Sequence, residues 1–280
     1  MDRERIAEGR TAEVFAWSDG RVLKLYRAGF GRDGAAKEFR VARLVSNAGL
    51  AAPAVYDAGS PDGVLEQDGR CGILAERIDG VSMLREMARR PWRVRRYSRQ
   101  FARLHAAMHS TRIPSLPEQR RAIGRAIDRA ADVAGPQLAG RARRALALLP
   151  DDGVVCHGDF HPDNVLLSRR GPVIVDWEPV TRGAAAADVA RTVLLARHGG
   201  FPPGTPWRVR VPMALARRLF LRLYLREYTR ITGMPWHEVE AWIGVMAVAR
   251  TAERIPHEAN VLLRIAAQRL LDPGPEGLDV

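Results

Sequence analysis

The chain has 280 residues, of which 46% are hydrophobic and 27% are charged, a balance typical of a globular protein with one large or two moderate domains. Its net charge is +12, and residues 81–150 hold this excess because they carry 16 arginines and only four acidic residues. No apolar run reaches the roughly 18 residues of a membrane span, and the N-terminal residues lack the apolar core of a signal peptide, which argues against a membrane partner and favours the cytoplasm.

The N-terminal residues alternate as antiparallel strands do. Residues 1–27 predict three strands with a hairpin turn at 18–20, and residues 33–48 predict a helix. Only two of the 44 basic residues are lysines, Lys24 in the third strand and Lys37 in the helix. A compact ammonium suits contact with phosphate oxygens in a way that a guanidinium does not reproduce. Lys24 is therefore a candidate phosphate-binding residue, and an ordinary exposed strand lysine is the alternative.

Further strands are predicted at 54–59 and 64–76, and the pattern becomes helical from residue 82 onward. The arginine-rich segment 81–150 has three interpretations: a solvated helical face, a surface for nucleic acid or another polyanion, and a site for an anionic substrate or partner. We favour the solvated face and argue against nucleic acid, because no helix-turn-helix, zinc or RNA-recognition signature accompanies the arginines.

His105 and His109 lie one turn apart within a predicted helix. That spacing can bind a metal ion when a third ligand is present. The sequence shows no evident third ligand, so we predict two hydrogen-bonded helix histidines rather than a metal site.

The most informative segment is HGDFHPDN, from His157 to Asn164, followed by VDWE at 175–178. Short apolar runs on either side of a Gly-containing turn predict a hairpin with Asn164 and Asp176 on opposite sides of its open end, where one cation can bridge them. Phosphoryl transfer from ATP requires a carboxylate beside the attacking hydroxyl, together with an amide oxygen and a second carboxylate that hold Mg²⁺. Ordinary solvated acids in a surface turn are the alternative.

These segments resemble the signature sequences of the aminoglycoside phosphotransferase and choline kinase family, which are small-molecule kinases with a protein-kinase-like fold. The resemblance rests on HGDFHPDNVLL and IVDWE, and the upstream elements follow in the expected order. It implies an α+β, two-lobed fold with a small antiparallel-sheet N-lobe and a larger, mainly helical C-lobe. We expect a nucleotide-binding N-lobe at 1–80, with a hinge near 75–80, and a catalytic and acceptor-binding C-lobe at 81–280.

The resemblance also implies roles for single residues. Asp159 would orient the acceptor hydroxyl and accept its proton, while Asn164 and Asp176 would hold Mg²⁺. Lys24 would contact the phosphates of ATP, and Glu38 would pair with Lys24 to hold it there. A solvent-facing Glu38 is the alternative.

Other residues are candidates for nucleotide or loop contacts by the same resemblance. The backbone around Gly9, with Thr11, would cover the phosphates, and a plain β-turn is the alternative because only one glycine is present there. The Glu76 carbonyl and the Ile78 amide would meet the adenine ring. Asp188 would brace the catalytic loop through backbone hydrogen bonds, and an acid placed at a helix N-terminus by the macrodipole is the alternative.

The predicted partner is a small molecule that offers a hydroxyl group. The chain passes from Asp176 almost directly into an alanine-rich helix, without a long activation segment to bind a protein substrate. Aminoglycosides, choline-like amines, sugars and amino alcohols all fit the resemblance. Two other functions stay open: a nucleotide-binding module without catalysis, and a polyanion-binding protein that uses residues 81–150.

Overall fold

The structure is a computed structural model that describes residues 4–9, 11–199 and 206–271. By its internal contacts the chain divides into two compact units, each made of two segments. Unit 1 comprises Met1–Arg85 and Asp163–Pro179, and unit 2 comprises Glu86–Pro162 and Val180–Val280.

An antiparallel sheet and one helix form the main body of unit 1. These elements are β1 (Arg5–Glu8), β2 (Ala12–Ala16), β3 (Arg21–Tyr26), α1 (Arg32–Asn47), β4 (Val55–Tyr56), β5 (Val64–Gln67) and β6 (Arg70–Glu76). The strand order is β1-β2-β3-β6-β4, and β5 pairs with the remaining length of β6. Between β2 and β3 the predicted hairpin turn forms, and Asp19 and Gly20 adopt the left-handed φ values of 57° and 69° that a tight turn requires.

Alternation along β3 decides what each face of this sheet contacts. Leu23 and Leu25 are buried together on one face, whereas Tyr26 packs on the opposite face against Phe39 of α1. Burial of each such side chain stabilises the unit by about 1.5–3 kcal/mol. Because successive side chains of a strand point to opposite faces, Lys24 shares the α1 face with Tyr26.

A smaller sheet in unit 1 contains the predicted hairpin. Its strands are β7 (Gly80–Ser82), β9 (Val165–Ser168) and β10 (Gly171–Ile174). The pairing of β9 with β10, with Val165 opposite Ile174, confirms the hairpin. Because β9 also pairs with β7, segment 163–179 packs with the N-terminal residues rather than with the rest of the predicted C-lobe. The lobe boundary near residue 80 stays a prediction.

Helices predominate in the chain from residue 83 onward. They are α2 (Met83–Arg89), α3 (Val94–His109), α4 (Gln119–Ala134), α5 (Pro136–Leu148), α6 (Ala185–His198), α7 (Trp207–Thr232), α8 (Trp236–Thr251) and α9 (Pro256–Leu270). The short strands β8 (Val154–Cys156) and β11 (Thr181–Gly183) pair beside them. The break between α4 and α5 falls at Gly135, because its φ of 78° ends one helix before Pro136 starts the next.

An aromatic cluster anchors the loop that follows β8. Phe160 stacks on Phe101 of α3, with ring centroids 4.1 Å apart, and neither side chain is exposed. Phe101 also meets Tyr224 of α7 edge-on at 5.2 Å. Such ring pairs contribute about 0.5–1.5 kcal/mol each beyond area burial. The residue directly after Asp159 is therefore fixed in the core of unit 2.

The arginines of segment 81–150 lie at the surface. All are solvent-exposed except Arg120, which is half-buried. This exposure is what the favoured solvated helical face requires, and polyanion binding stays the alternative. Among the helices that the structure describes, none has the length and hydropathy needed to cross a membrane.

Candidate active site

Lys24 and Glu38 form the ion pair predicted for them. Lys24 Nζ donates to Glu38 Oε1 at 2.7 Å, and Tyr26 Oη donates to the other carboxylate oxygen at 2.5 Å. These two donors stabilise a carboxylate that is almost fully buried on α1. Burial lowers the pKa of Lys24, but the carboxylates of Glu38 and Asp176 outweigh it and raise that pKa overall. The Lys24 ammonium therefore stays charged.

Asp176 follows β10 and brings a second carboxylate to Lys24. Asp176 Oδ1 lies 3.1 Å from Lys24 Nζ, although half of the Asp176 side chain is exposed. Its φ of 64° is left-handed, a conformation that Asp and Asn adopt more readily than other residues with a Cβ. Asp19 adopts a φ of 57° in a plain hairpin turn, so the contact with Lys24, and not this conformation, distinguishes Asp176 from an ordinary turn acid.

Asn164 approaches the same end of the hairpin from the other strand. Its carbonyl accepts a hydrogen bond from the Val175 amide at 2.9 Å, so Asn164 lies opposite the residue that precedes Asp176. A carboxylate and an amide oxygen are hard donors, and Mg²⁺ is usually held by one or two protein oxygens together with waters. The donor set of Asn164 and Asp176 fits Mg²⁺ in its chemistry.

In the turn between β1 and β2, the backbone groups of Gly9 are hydrogen-bonded to neighbouring residues of the protein. The Gly9 amide donates to the Ala12 carbonyl at 2.8 Å, and Arg27 Nη2 donates to the Gly9 carbonyl at 3.2 Å. These bonds favour the plain-turn alternative at Gly9, because its amide already has an acceptor. Thr11 is exposed, and residue 10 lies outside the described residues. Phosphate contact by Gly9 and Thr11 stays a prediction.

Glu76 ends β6 with both carboxylate oxygens engaged. One accepts a hydrogen bond from the Ala54 amide at 3.1 Å, and the other lies 2.8 Å from Arg170 Nη1. These contacts fix the strand end two residues before Ile78. Adenine contact by the Glu76 carbonyl and the Ile78 amide stays a prediction.

Asp159 belongs to unit 2, in the loop after β8. Its Oδ1 accepts a hydrogen bond from Arg191 Nη2 at 3.2 Å, and its Oδ2 lies 3.5 Å from His161 Nε2. Burial by itself raises the pKa of this carboxyl, but the His161 hydrogen bond and the Arg191 charge lower it far below its usual range. Asp159 is therefore ionised at neutral pH and can accept a hydrogen bond from a hydroxyl group.

Arg191 is a site residue that the sequence analysis missed. Its Nη2 also lies 2.6 Å from Glu253, which is 3.2 Å from Arg250, and Arg250 pairs with the buried Glu258 at 2.7 Å. Charges of alternating sign thus run from Asp159 across α6 and α8 to α9. Because each charge is held from two sides, this row restricts how the Asp159 carboxylate can turn.

Asp188 on α6 fixes the loop that carries Asp159. Its Oδ2 accepts from the His157 amide at 2.7 Å and its Oδ1 from the Gly158 amide at 2.8 Å, which is the bracing that the family resemblance implied. Gly158 has a φ of 81°, readily adopted only by glycine, so that consecutive amides can face one carboxylate. Burial raises the pKa of Asp188, but the hydrogen bonds from His105 and His109 hold it well below its usual range.

Asp188 also lies beside His105 and His109, and it is the third ligand-type residue that the sequence did not reveal. The Nε2 atoms of His105 and His109 lie 3.2 and 3.3 Å from Asp188 Oδ2, and their Nδ1 atoms lie 2.7 and 2.6 Å from the hydroxyls of Tyr224 and Tyr228. The expectation that no third ligand-type group accompanies them is wrong, because the fold brings together residues 83 positions apart. Both histidines are nevertheless fully hydrogen-bonded, as predicted.

This network makes the stability of the protein depend on pH. Burial, followed by the charge of His109, lowers the pKa of His105 to about 3 from its usual 6.5, although Asp188 opposes the shift and His157 adds to it. Between these values the unfolded chain binds a proton that the folded chain excludes, so stability falls as pH decreases. We expect His105 alone to remove about 2 kcal/mol of unfolding free energy between pH 8 and pH 5.

Urea unfolding at the two pH values measures this effect. In His105→Asn the pH-dependent difference should shrink by that amount, whatever the absolute stability of the variant. His237→Asn, which changes an exposed histidine of α8, serves as the matched control and should leave the difference unaltered. An unchanged difference in His105→Asn would contradict the assignment.

Solved structures share this architecture across nearly the whole chain. Aminoglycoside phosphotransferase APH(4)-Ia has a TM-score of 0.64 at 17% identity, covering 95% of this chain and 94% of its own. Amicoumacin kinase hAmiN has a TM-score of 0.65 at 12% identity, covering 99% and 90%. A choline/ethanolamine kinase family protein from Mesorhizobium loti has a TM-score of 0.58 at 18% identity, covering 97% and 86%. At such identities the likeness shows the fold alone.

The fold is thus the α+β, protein-kinase-like fold of small-molecule kinases, as predicted. The family follows from the sequence itself. A model of the phosphotransferase enzyme family matches residues 2–230, and the chain belongs to that family. No curated protein sequence matches the chain.

Proposed function

We propose that this protein is an ATP-dependent small-molecule kinase that transfers the γ-phosphoryl group to a hydroxyl of its acceptor. The observation that carries the proposal is Lys24, whose ammonium is held by the buried Glu38 at 2.7 Å and lies 3.1 Å from Asp176. Membership of the phosphotransferase enzyme family supports it. So do the nucleotide complexes of similar proteins, because a thermostable mutant of APH(4)-Ia binds AMP-PNP with hygromycin B, and hAmiN also binds AMP-PNP.

Unit 1 would bind the nucleotide. Lys24 would contact phosphate oxygens, and Glu38 and Tyr26 would keep its ammonium in place. Asn164 and Asp176 would hold Mg²⁺, which supplies positive charge that offsets the negative charge of the transferring phosphoryl group. The backbone around Gly9 and Thr11 would cover the phosphates, and the Glu76 carbonyl with the Ile78 amide would meet the adenine.

Asp159 would orient the acceptor hydroxyl and take its proton. A carboxylate with a lowered pKa is a weak base, so its main contribution is orientation rather than early deprotonation. The proton would pass to Asp159 once the oxygen has begun to bond to phosphorus and has become acidic, which suits the loose transition state of phosphoryl transfer. Arg191 would act as a positioning residue, because it holds the Asp159 carboxylate and would not contact the acceptor itself.

A nucleotide-binding module without catalysis is the second candidate. One observation favours it, namely that the Gly9 amide is engaged within its own turn. The presence of Asp159, Asn164 and Asp176 together favours the kinase. The cytoplasmic location stays a prediction from the sequence.

A panel of hydroxyl compounds tests the two candidates. Aminoglycosides, amino alcohols and sugars are incubated with the protein, ATP and Mg²⁺, and products are detected by mass. We expect at least one compound to gain a single phosphoryl group, only when ATP and Mg²⁺ are both present. Nucleotide binding without any phosphorylated product across the panel would instead support the module without catalysis.

A further inference from the structure

Unit 2 contains a cavity whose lining residues have no role in the proposed mechanism. It encloses about 630 Å³ between α6, α7, α8 and α9. Its apolar lining includes Leu194, Leu221 and Ile243, which are all almost fully buried. Around this lining stand five arginines, namely Arg197, Arg217, Arg218, Arg222 and Arg269.

The positive charge of this cavity is poorly balanced. Arg269 pairs with Glu240 at 2.6 Å. Arg197, Arg218 and Arg222 form no ion pair with a carboxylate among the residues that the structure describes. Burial lowers the pKa of the Arg197 guanidinium, and the charges of Arg218 and Arg269 lower it further. Guanidinium groups gathered in this way repel one another and favour a bound anion.

A solvated surface is the ordinary explanation for arginines in this chain, and it does not account for their grouping here. The arginines of segment 81–150 are spread over several elements, and all but Arg120 are exposed. Those of the cavity come from three helices and line one cavity, where Arg218 and Arg222 are exposed whereas Arg197 and Arg269 are half-buried. Convergent polar groups around an apolar lining are the usual composition of a small-molecule site.

We propose that this cavity binds a small molecule that carries an anionic group, such as a carboxylate, sulfate or phosphate, on an apolar body. The guanidinium groups would bind the anion through charge-assisted hydrogen bonds, and the leucine and isoleucine side chains would contact the body. Two sources of such a molecule share this chemistry: the acceptor of the kinase, and an effector that is not phosphorylated.

The position of the cavity along α6 limits what kind of acceptor could supply the anion. Arg197 follows Arg191, the residue that holds Asp159, by six positions on the same helix. That separation corresponds to about 9 Å along the helix axis and about 1.7 turns around it, so the two side chains leave α6 on different faces. An acceptor that places a hydroxyl at Asp159 and an anion at the arginines must therefore extend around the helix as well as along it. This part of the inference rests on the proposed function, whereas the binding itself does not.

Binding is tested with a matched pair of fluorescent probes, anilinonaphthalene sulfonate and the uncharged phenylnaphthylamine, titrated into the whole protein without ATP. We expect Arg197→Gln combined with Arg218→Gln to weaken binding of the sulfonate by about tenfold or more, because each charge-assisted hydrogen bond contributes at least a factor of that order. The variant should bind phenylnaphthylamine with the same affinity as the parent, which would also show that the variant is folded.

The matched control is Arg125→Gln combined with Arg129→Gln, which removes two exposed arginines of α4. This control should bind the sulfonate as the parent does. Equal sulfonate affinity in the cavity variant and the parent, or an equal loss in the control, would overturn the proposal. If the double variant fails to retain phenylnaphthylamine, the exposed Arg222→Gln variant replaces it, with the same expected direction and the same overturning result.

Kinetics then separate the two sources. If the acceptor supplies the anion, the cavity variant loses kcat/KM for hydroxyl compounds that carry a carboxylate or sulfate and keeps it for neutral ones. If an effector supplies it, anions without a hydroxyl change the rate on a neutral acceptor in the parent but not in the variant. Because the probe titration needs no turnover, a protein that binds the sulfonate through these arginines but phosphorylates nothing would refute only the kinase.

Discussion

Replacing Asp159 by asparagine should lower kcat by about two to four orders of magnitude, the usual contribution of a positioned acid–base group. The amide keeps the size of the side chain but cannot accept the hydroxyl proton. Nucleotide affinity should persist, because Lys24, Glu38 and Asp176 belong to a different compact unit from Asp159. The measurement combines AMP-PNP binding by calorimetry with turnover on the acceptor found in the panel.

Asp163→Asn is the matched control for this variant. Asp163 lies four positions further along, is exposed, and has no assigned role in the reaction, so its loss should leave kcat close to the parent value. Parent-like turnover by Asp159→Asn would remove Asp159 from the mechanism. A parallel loss of AMP-PNP binding would show that the substitution acts on folding rather than on proton acceptance.

Replacing Asp188 by alanine should destabilise the protein by about 3–5 kcal/mol, the range found when one partner of a buried charged network is removed. The variant leaves the His157 and Gly158 amides and the Nε2 atoms of His105 and His109 without their acceptor in a site that water does not reach. Urea unfolding at pH 7 gives the change in free energy.

The control for this prediction is Asp128→Ala, which removes an exposed ion pair with Arg143 on the helical surface. Pairs of that kind contribute at most about 1 kcal/mol. A loss below that value for Asp188→Ala would mean that the loop is held by Phe160 and its neighbours rather than by the carboxylate. Asp188→Asn, which retains one acceptor oxygen, should fall between the two.

The local features of the site could be predicted from the sequence because local rules decide them. The hairpin that carries Asn164 and Asp176 follows from two apolar runs and a Gly-containing turn. Strand alternation places Lys24 on the sheet face that packs against α1, and Glu38 is a residue of that helix. The change to a helical pattern predicted at residue 82 agrees with α2, the first of the later helices, which begins at Met83.

The contacts that position the loop carrying Asp159 could not be predicted in this way. His105 and Tyr224 are 119 positions apart, and Arg191 and Glu253 are 62 apart, so no periodicity links them. Each of these residues alone fits an ordinary helix. Only helix packing shows that Tyr224 and Tyr228 on α7 supply the hydroxyls that His105 and His109 need, or that Arg191 meets Asp159.

Amine chemistry offers direct access to the unit proposed to bind the nucleotide, because all but two of the basic residues are arginines. Acylating reagents therefore meet only two side-chain amines. Lys37 is exposed and would react freely, whereas the Lys24 side chain is only 20% exposed and its ammonium is held by two carboxylates. One lysine thus serves as an internal standard for the other, and the ratio of the two modified peptides would report whether a nucleotide occupies the proposed phosphate position beside Lys24, without any engineered label.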